Sequence, residues 1–156
     1  MPPLQIRRMT PGDLNQVMEI EHCSFPLPWS RGSFEKELRD NSYACYLVAE
    51  TEERGKVAGY AGCWVLFDEA HITTLAVHPA YRRGGIGRML LAALLELADA
   101  RGAQQVFLEV RDSNAAARRL YTEFGFEIKG IRKKYYHDED ALVMVRLLHR
   151  AGMDLA

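Results

Sequence analysis

The spacing of apolar and polar residues along the chain predicts alternating strands and helices. Runs rich in β-branched and aromatic residues, typical of strands, alternate with stretches in which apolar residues recur every three or four positions. The predicted strands are residues 4–9, 43–50, 57–67, 71–77, 106–110, 126–131 and 141–148. The predicted helices are residues 10–22, 31–40, 86–100 and 115–124. This alternation predicts an α/β fold built on a mixed sheet.

Local signals at the ends of these segments support the assignment. Thr10 and Pro11 suit the cap and first position of a helix, and Ser30 suits the cap of the next one. Gly102 and Gly125 follow the last two helical stretches, where a left-handed residue commonly ends a helix. The strands 43–50 and 57–67 are separated by a short polar turn, so we expect a hairpin.

Composition narrows the class of protein. The chain has 156 residues and a net charge of −1, which predicts one domain over residues 1–156 and argues against a nucleic-acid binder driven by bulk positive charge. It contains neither a membrane-spanning run nor a signal-peptide core. The three cysteines form no CxxC pair and the five histidines lack metal-ligand spacing. We expect a cytoplasmic protein without a metal, a membrane partner or a nucleic-acid partner.

A glycine-rich turn lies between a predicted strand and the longest predicted helix. It reads Arg82-x-x-Gly85-x-Gly87, with Arg83 and Arg88 beside it. Glycines let an anion approach the backbone, and the free N–H groups of a helix start favour a diphosphate. The alternative is a plain glycine-rich turn at a basic helix start. The pattern matches neither GxGxxG nor the phosphate loop of nucleotide hydrolases.

One carboxylate stands inside an otherwise apolar strand. Glu109 lies between Leu108 and Val110, and strand alternation places it on the same side as Phe107 and Arg111. A covered sheet would desolvate this carboxylate and make it a usable base near neutral pH. The alternative is a carboxylate on a solvated face or paired with an arginine.

The following helix carries a tyrosine with two interpretations. Ser113 or Asn114 can cap this helix, and Tyr121 lies on its apolar face. An aromatic residue in that position is most often part of a core. A phenol can also protonate a leaving group, which is the functional interpretation.

Together these segments resemble the GCN5-related N-acetyltransferases. The turn matches the family pattern Q/R-x-x-G-x-G/A, and the stretch 109–117 with the following Leu-Tyr and Phe-Gly-Phe is similar to the bacterial ribosomal-protein-alanine N-acetyltransferase branch. Residues 25–30 and the Tyr135-Tyr136 pair also resemble that branch. The loop near His137 and Asp138, which the resemblance places against the peptide, is shorter than that branch usually has. The resemblance implies a mostly antiparallel sheet of six to seven strands, splayed to bind acetyl-CoA, with about four helices.

The resemblance also implies roles for individual residues. Glu109 would be the proton acceptor and Tyr121 the proton donor. The implied residues for binding acetyl-CoA are Leu75, Ala76, Val77, Arg82, Arg83, Gly84, Gly85, Ile86, Gly87, Arg88 and Asn114. The implied residues for binding the acceptor are Trp29, Tyr135 and Tyr136. Trp29 could equally be a core aromatic, and the acidic run 138–140 could be a solvated hairpin tip or meet a basic substrate tail.

The resemblance implies acetyl transfer to a protein N-terminus, most specifically the N-terminal alanine of a small-subunit ribosomal protein. Two other functions stay open: acetylation of a lysine or a small amine, and a non-catalytic module that senses acetyl-CoA. The coexistence of a base and an acid argues against the module. We expect a monomer or weak dimer.

Overall fold

The structure, a computed structural model, describes residues 5–148. Over these residues it contains seven strands and four α-helices. The strands are β1 (Gln5–Arg8), β2 (Ala44–Glu50), β3 (Val57–Leu66), β4 (Glu69–Val77), β5 (Gln105–Arg111), β6 (Glu127–Arg132) and β7 (Ala141–Leu147). The helices are α1 (Leu14–Ser24), α2 (Arg31–Asp40), α3 (Ile86–Ala100) and α4 (Ala115–Glu123). Their order along the chain is β1-α1-α2-β2-β3-β4-α3-β5-α4-β6-β7.

The strands form a mixed sheet in the order β1-β2-β3-β4-β5-β7-β6. The pairs β1–β2, β2–β3, β5–β7 and β6–β7 are antiparallel, whereas β4 and β5 are parallel. Parallel pairing is seen from Glu69 opposite Gln105 to His71 opposite Phe107. This confirms the predicted α/β class, the β2–β3 hairpin and the mostly antiparallel sheet.

The chain divides into two compact units. The first contains the residues up to Trp64 together with Thr73–Leu97. Its core includes Val17, Phe34 and Tyr60, each of which is fully buried. Helix α1 contributes to this core because its apolar residues recur at helical spacing, and α2 begins where the Ser30 hydroxyl accepts a hydrogen bond from the Ser33 N–H at 3.1 Å.

Two glycines of β3 explain how bulky groups pack against this strand. An added Cβ at Gly59 would lie 2.8 Å from the carbonyl oxygen of Ala76 and 3.2 Å from Leu90 of α3. A Cβ at Gly62 would lie 2.1 Å from the ring of Tyr46. The glycines therefore allow α3 and this ring to approach β3, rather than only weakening the strand as sequence propensity suggests.

The second unit contains Val65–Ile72 together with the chain from Ala98 onward. In β5 every second residue is buried, namely Val106, Leu108 and Val110, so Glu109 lies on the opposite face, as predicted. Helix α4 is capped by Asn114, whose side-chain oxygen accepts from the Ala117 N–H at 3.1 Å. This decides between the two caps that the sequence allows.

The predicted element boundaries agree with the structure to within a few residues. Gly102 and Gly125 both have positive φ, 96° and 88°, as expected for residues that end helices. None of the helices described over residues 5–148 is long and apolar enough to cross a membrane. The single-domain organisation of residues 1–156 and the splaying of the sheet stay predictions.

Candidate active site

The glycine-rich turn of the first unit leads directly into α3. Gly85 has φ of 82°, and its carbonyl accepts the first hydrogen bond of the helix, from the Met89 N–H at 3.1 Å. An added Cβ at Gly85 would meet no atom within 4 Å. The first N–H groups of α3 have no partner within the helix, as at every helix start, and the macrodipole is positive there. This backbone is suited to a diphosphate.

Arginines surround the turn in different ways. Arg82, Arg83 and Arg88 are all exposed. Arg82 also donates from Nε to the Val77 carbonyl at 3.1 Å and from Nη2 to the Ser24 hydroxyl at 3.4 Å, so it ties the turn to the end of β4. Arg83 has φ of 69°, an uncommon backbone for a residue other than glycine. Their charges suit phosphate oxygens.

The rest of the predicted coenzyme site in this unit lies on β4 and at the start of α3. Leu75 and Val77 are half-buried and alternate with the buried Ala76. Ile86 is buried, while Gly84 and Gly87 are half-buried. Their roles stay predictions. The open space at Gly85 and the exposed arginines suit a diphosphate.

The second unit holds the predicted base. The Glu109 side chain is 6% exposed, and its Oε1 lies 2.6 Å from Nε2 of His71 on the neighbouring strand β4. The His71 ring stacks on Phe107, with ring centroids 4.4 Å apart and planes 4° apart. The stacking and the parallel register hold the imidazole against the carboxylate. The structure thus places a histidine against the Glu109 carboxylate, and the role of Glu109 as proton acceptor stays a prediction.

The other carboxylate oxygen of Glu109 faces a cation. Arg132, at the end of β6, brings its Nε to 3.7 Å from Glu109 Oε2. The same guanidinium lies 5.6 Å from the ring centroid of Tyr135. Burial chiefly, together with the Glu109 charge, raises the pKa of the Tyr135 phenol, although Arg132 opposes this. Tyr135 therefore stays protonated and belongs to the surroundings of the carboxylate.

Tyr136 contacts the same strand. Its hydroxyl donates to the backbone carbonyl of Glu109 at 3.0 Å, and its ring lies 5.0 Å from that of Tyr135. Burial raises the pKa of its phenol to about 12. The structure thus brings both predicted acceptor-binding tyrosines together with the predicted base.

The predicted acid is a buried phenol on α4. Tyr121 is 7% exposed and packs edge-on against Phe126 at 5.7 Å. Burial, and to a lesser extent the Tyr136 phenol, raises the pKa of Tyr121 above its usual value. Within residues 5–148 no hydrogen bond is found to its hydroxyl. Tyr121 is therefore a core aromatic whose phenol stays protonated, and its role as proton donor stays a prediction.

Two other predicted site residues, Asn114 and Trp29, make structural contacts. Asn114 is exposed and caps α4 through its side-chain oxygen. Trp29 is half-buried in the first unit, with its ring 5.1 Å from Phe34, and its backbone N–H donates to the Glu21 carboxylate at 2.9 Å. The core interpretation of Trp29 accounts for these contacts, and its contact with an acceptor stays a prediction.

The acidic run between β6 and β7 is engaged within the chain. Asp138 and Glu139 both accept from Arg111, and Asp140 accepts from the Lys134 N–H at 2.8 Å. These contacts make the run part of the loop's own structure, and a contact with a basic substrate tail is not needed to explain it.

The contact between His71 and Glu109 is not among the sequence predictions, in which histidines are weighed only as metal ligands. Within residues 5–148 no group of three or more His, Cys, Asp or Glu side chains is arranged to hold a metal ion. The available signal was the register: His71 pairs with Phe107, two residues before Glu109 in the parallel strand. The absence of a metal from the reaction stays a prediction.

The chain is similar in sequence and in structure to known acetyltransferases. The acetyltransferase (GNAT) family pattern matches residues 14–126. A Bacillus subtilis relative is 45% identical over 141 residues, covering 89% of this chain and 92% of its own. The [ribosomal protein bS18]-alanine N-acetyltransferase of Escherichia coli K12 is 40% identical over 136 residues, covering 85% and 89%. A crystal structure of the Escherichia coli ribosomal-protein-S18-alanine N-acetyltransferase superposes with a TM-score of 0.85 at 35% identity, covering 99% of each chain. The chain belongs to the acetyltransferase (GNAT) family.

Proposed function

We propose that this protein transfers the acetyl group of acetyl-CoA to the N-terminal alanine of ribosomal protein bS18. The relatives that carry this name are similar over most of their length. The observation that supports it most directly is the buried Glu109 carboxylate beside His71 and the tyrosine pair. Such a substrate would be modified in the cytoplasm, by an enzyme that is a monomer or weak dimer.

Most of the predicted coenzyme-binding residues lie in the first unit, and Asn114 lies in the second. The turn around Gly85 and its arginines would bind the diphosphate, and the end of β4 would bind the pantetheine arm through its backbone. Asn114 would contact the coenzyme arm with the part of its amide that does not cap α4. Acetyl-CoA supplies a thioester, whose carbonyl carbon an amine can attack.

The acid–base steps fall to the second unit. Glu109 accepts the proton that the attacking amine loses, and His71 and Arg132 orient its two oxygens. Tyr121 donates a proton to the sulfur that leaves when the C–S bond breaks. One amide bond forms and one thioester bond breaks. Glu109 gains one proton from the amine, and Tyr121 gives one proton to the thiolate.

The acceptor preference follows from the strength of the base. An α-amino group has a pKa of about 8, against about 10.4 for lysine. At pH 7.5 roughly a quarter to a third of α-amines are neutral, but only about one lysine in a thousand. Neutralising the lysine costs on the order of 3–4 kcal/mol more. A carboxylate is a modest base, so it suits an N-terminus.

The test is acetyl transfer to a peptide with the bS18 N-terminus, followed by mass spectrometry. We expect one acetyl group on the α-amine. A control peptide with a blocked N-terminus and free lysines should stay unmodified. Glu109→Gln should lower kcat/KM about 100-fold, with the largest loss at low pH, where less free amine exists.

Two other outcomes of this experiment would favour a lysine acetyltransferase or a module that only binds acetyl-CoA. Modification of the blocked peptide would indicate a lysine acetyltransferase. Binding of acetyl-CoA without release of CoA, for any peptide or small amine, would indicate a sensing module and contradict the proposed function.

A further inference from the structure

The loop 133–140 between β6 and β7 has a strained backbone. Lys134 and His137 have φ of 54° and 66°, although neither is glycine. Such conformations are uncommon and persist only when surrounding contacts stabilise them. Some of these stabilising contacts are hydrogen bonds within the loop, such as that from the His137 N–H to the Lys134 carbonyl at 2.9 Å. The other stabilising contacts come from residues outside the loop.

One arginine on β5 contacts three residues of the loop. Arg111 Nη1 lies 2.9 Å from Asp138 Oδ1 and 3.2 Å from Glu139 Oε1. Its guanidinium carbon lies 4.4 Å from the ring centroid of Tyr136. The side chains of Arg111 and Glu139 are only 15% and 22% exposed, so the contact between them is shielded from water better than a surface ion pair, whereas the Asp138 side chain is 65% exposed. Only a planar guanidinium both stacks on a ring and bonds carboxylates in this way.

Neighbouring residues of the same chain segment complete the attachment. The Ser113 N–H donates to Glu139 Oε2 at 2.7 Å, and the Asp112 N–H donates to the Asp140 carbonyl at 3.4 Å. The Tyr136 hydroxyl donates to the Glu109 carbonyl. Residues 109–113 therefore carry both the proposed base and every one of these anchors of the loop.

We propose that Arg111 is a positioning residue that holds Tyr135 and Tyr136 in place to receive the acceptor peptide. This inference rests on the proposed function, in which the two tyrosines meet the acceptor. Without Arg111 the two carboxylates of the loop lose their shared cation, and Tyr136 loses the group stacked on its ring. The loop then samples other conformations, and the peptide must order it on binding.

The effect should therefore appear in acceptor binding. Arg111→Gln should raise KM for the peptide about tenfold, which corresponds to about 1.4 kcal/mol, while KM for acetyl-CoA and kcat stay within about threefold of the parent. Arg39→Gln is the matched control, because Arg39 also pairs with an aspartate, Asp40, but on α2. It should leave all three parameters unchanged. The loop variant Asp138→Asn/Glu139→Gln should reproduce the peptide effect without altering β5.

A second measurement follows the loop without using activity. Lys133 and Lys134 are trypsin sites in the loop, and both are exposed. Arg111→Gln should be cleaved there several-fold faster than the parent, and Arg39→Gln should not. An unchanged KM for the peptide in Arg111→Gln would overturn the proposal, whether or not the loop is cleaved faster.

A parent enzyme that acetylates no N-terminal peptide would contradict the proposed function. The rate of cleavage would still show whether Arg111 holds the loop.

Discussion

At the scale of single residues, the candidate chemistry depends on how Glu109 is surrounded. One oxygen of its carboxylate contacts His71 and the other faces Arg132 at 3.7 Å. The first contact is short and half-buried, while the Arg132 side chain is 54% exposed and is screened by solvent. His71 is therefore the partner that fixes the direction of the carboxylate, and Arg132 adds a weaker positive field.

Tyr121→Phe tests the proposed acid. Because burial raises the pKa of Tyr121, its phenol is protonated throughout the neutral range. We expect kcat to fall about 100-fold, by the same factor between pH 7 and pH 9, while KM for acetyl-CoA changes little. Steady-state kinetics at saturating peptide measure both. Unchanged turnover would remove Tyr121 from the mechanism.

At the scale of elements, contacts between neighbouring strands and helices decide which substitutions the fold tolerates. Strand β3 lies against α3 only because Gly59 has no side chain. The ion pair of Arg7 with Asp13 and Glu50 joins β1 to the start of α1 and to β2. Each of these contacts fixes one element against another, and each predicts a measurable effect on stability.

Gly59→Ala should destabilise the protein. The added methyl group would lie 2.8 Å from the Ala76 carbonyl, and main chain must move to accept it, at a cost of about 1–3 kcal/mol. Gly130→Ala is the matched control, because no atom lies within 4 Å of its added Cβ. Urea unfolding should show a change below about 0.5 kcal/mol for this control. Equal stability of the two variants would contradict the packing described for β3 and α3.

Asp13→Asn should destabilise the protein in a pH-dependent way. Burial alone would raise the pKa of Asp13, but hydrogen bonds from Arg7 and the Thr10 N–H hold it below its usual value. A carboxyl with a lowered folded-state pKa stabilises the protein above the pKa of the unfolded chain, about 3.9, and this stabilisation is lost as pH falls through the folded-state value. We expect a loss of about 1–3 kcal/mol at pH 7.

The loss should shrink as the pH falls below about 4, because the parent then also protonates Asp13. Urea unfolding of both proteins at pH 7 and pH 3 provides the measurement. A difference in unfolding free energy that is the same at both pH values would show that the charge of Asp13 is not responsible.

At the scale of the whole molecule, patterns within a segment predicted its helix or strand, whereas contacts between residues far apart in the sequence could not be predicted. Helix α3 has the predicted bounds, because its apolar spacing and the glycines that flank it, Gly85 and Gly102, are local signals. The contact between His71 and Glu109 joins residues 38 positions apart, and it exists only because β4 and β5 pair in one particular register. The contact of Arg111 with Asp138 likewise depends on the path of a loop.

Binding of the coenzyme should stabilise the folded chain. With net charge −1, overall charge contributes little, so the effect should come from the turn at Gly85. CoA at 100 times its Kd should add about 2.7 kcal/mol to the stability, which raises Tm by roughly 5–10 °C for a protein of this size. Pantetheine lacks the diphosphate and should raise Tm much less at the same concentration. Equal shifts for both compounds would contradict the diphosphate site, and differential scanning fluorimetry can make the comparison.

Strand β5 places Glu109 and Arg111 two residues apart on one face, next to the loop 133–140. An insertion or deletion of one residue in this strand ahead of Glu109 would turn both side chains to the opposite face at once. Efforts to redirect the enzyme toward new acceptors should therefore leave β5 intact. Libraries that vary the exposed side chains of Lys133 and His137 would sample new acceptor preferences while the proposed base, Glu109, keeps its place.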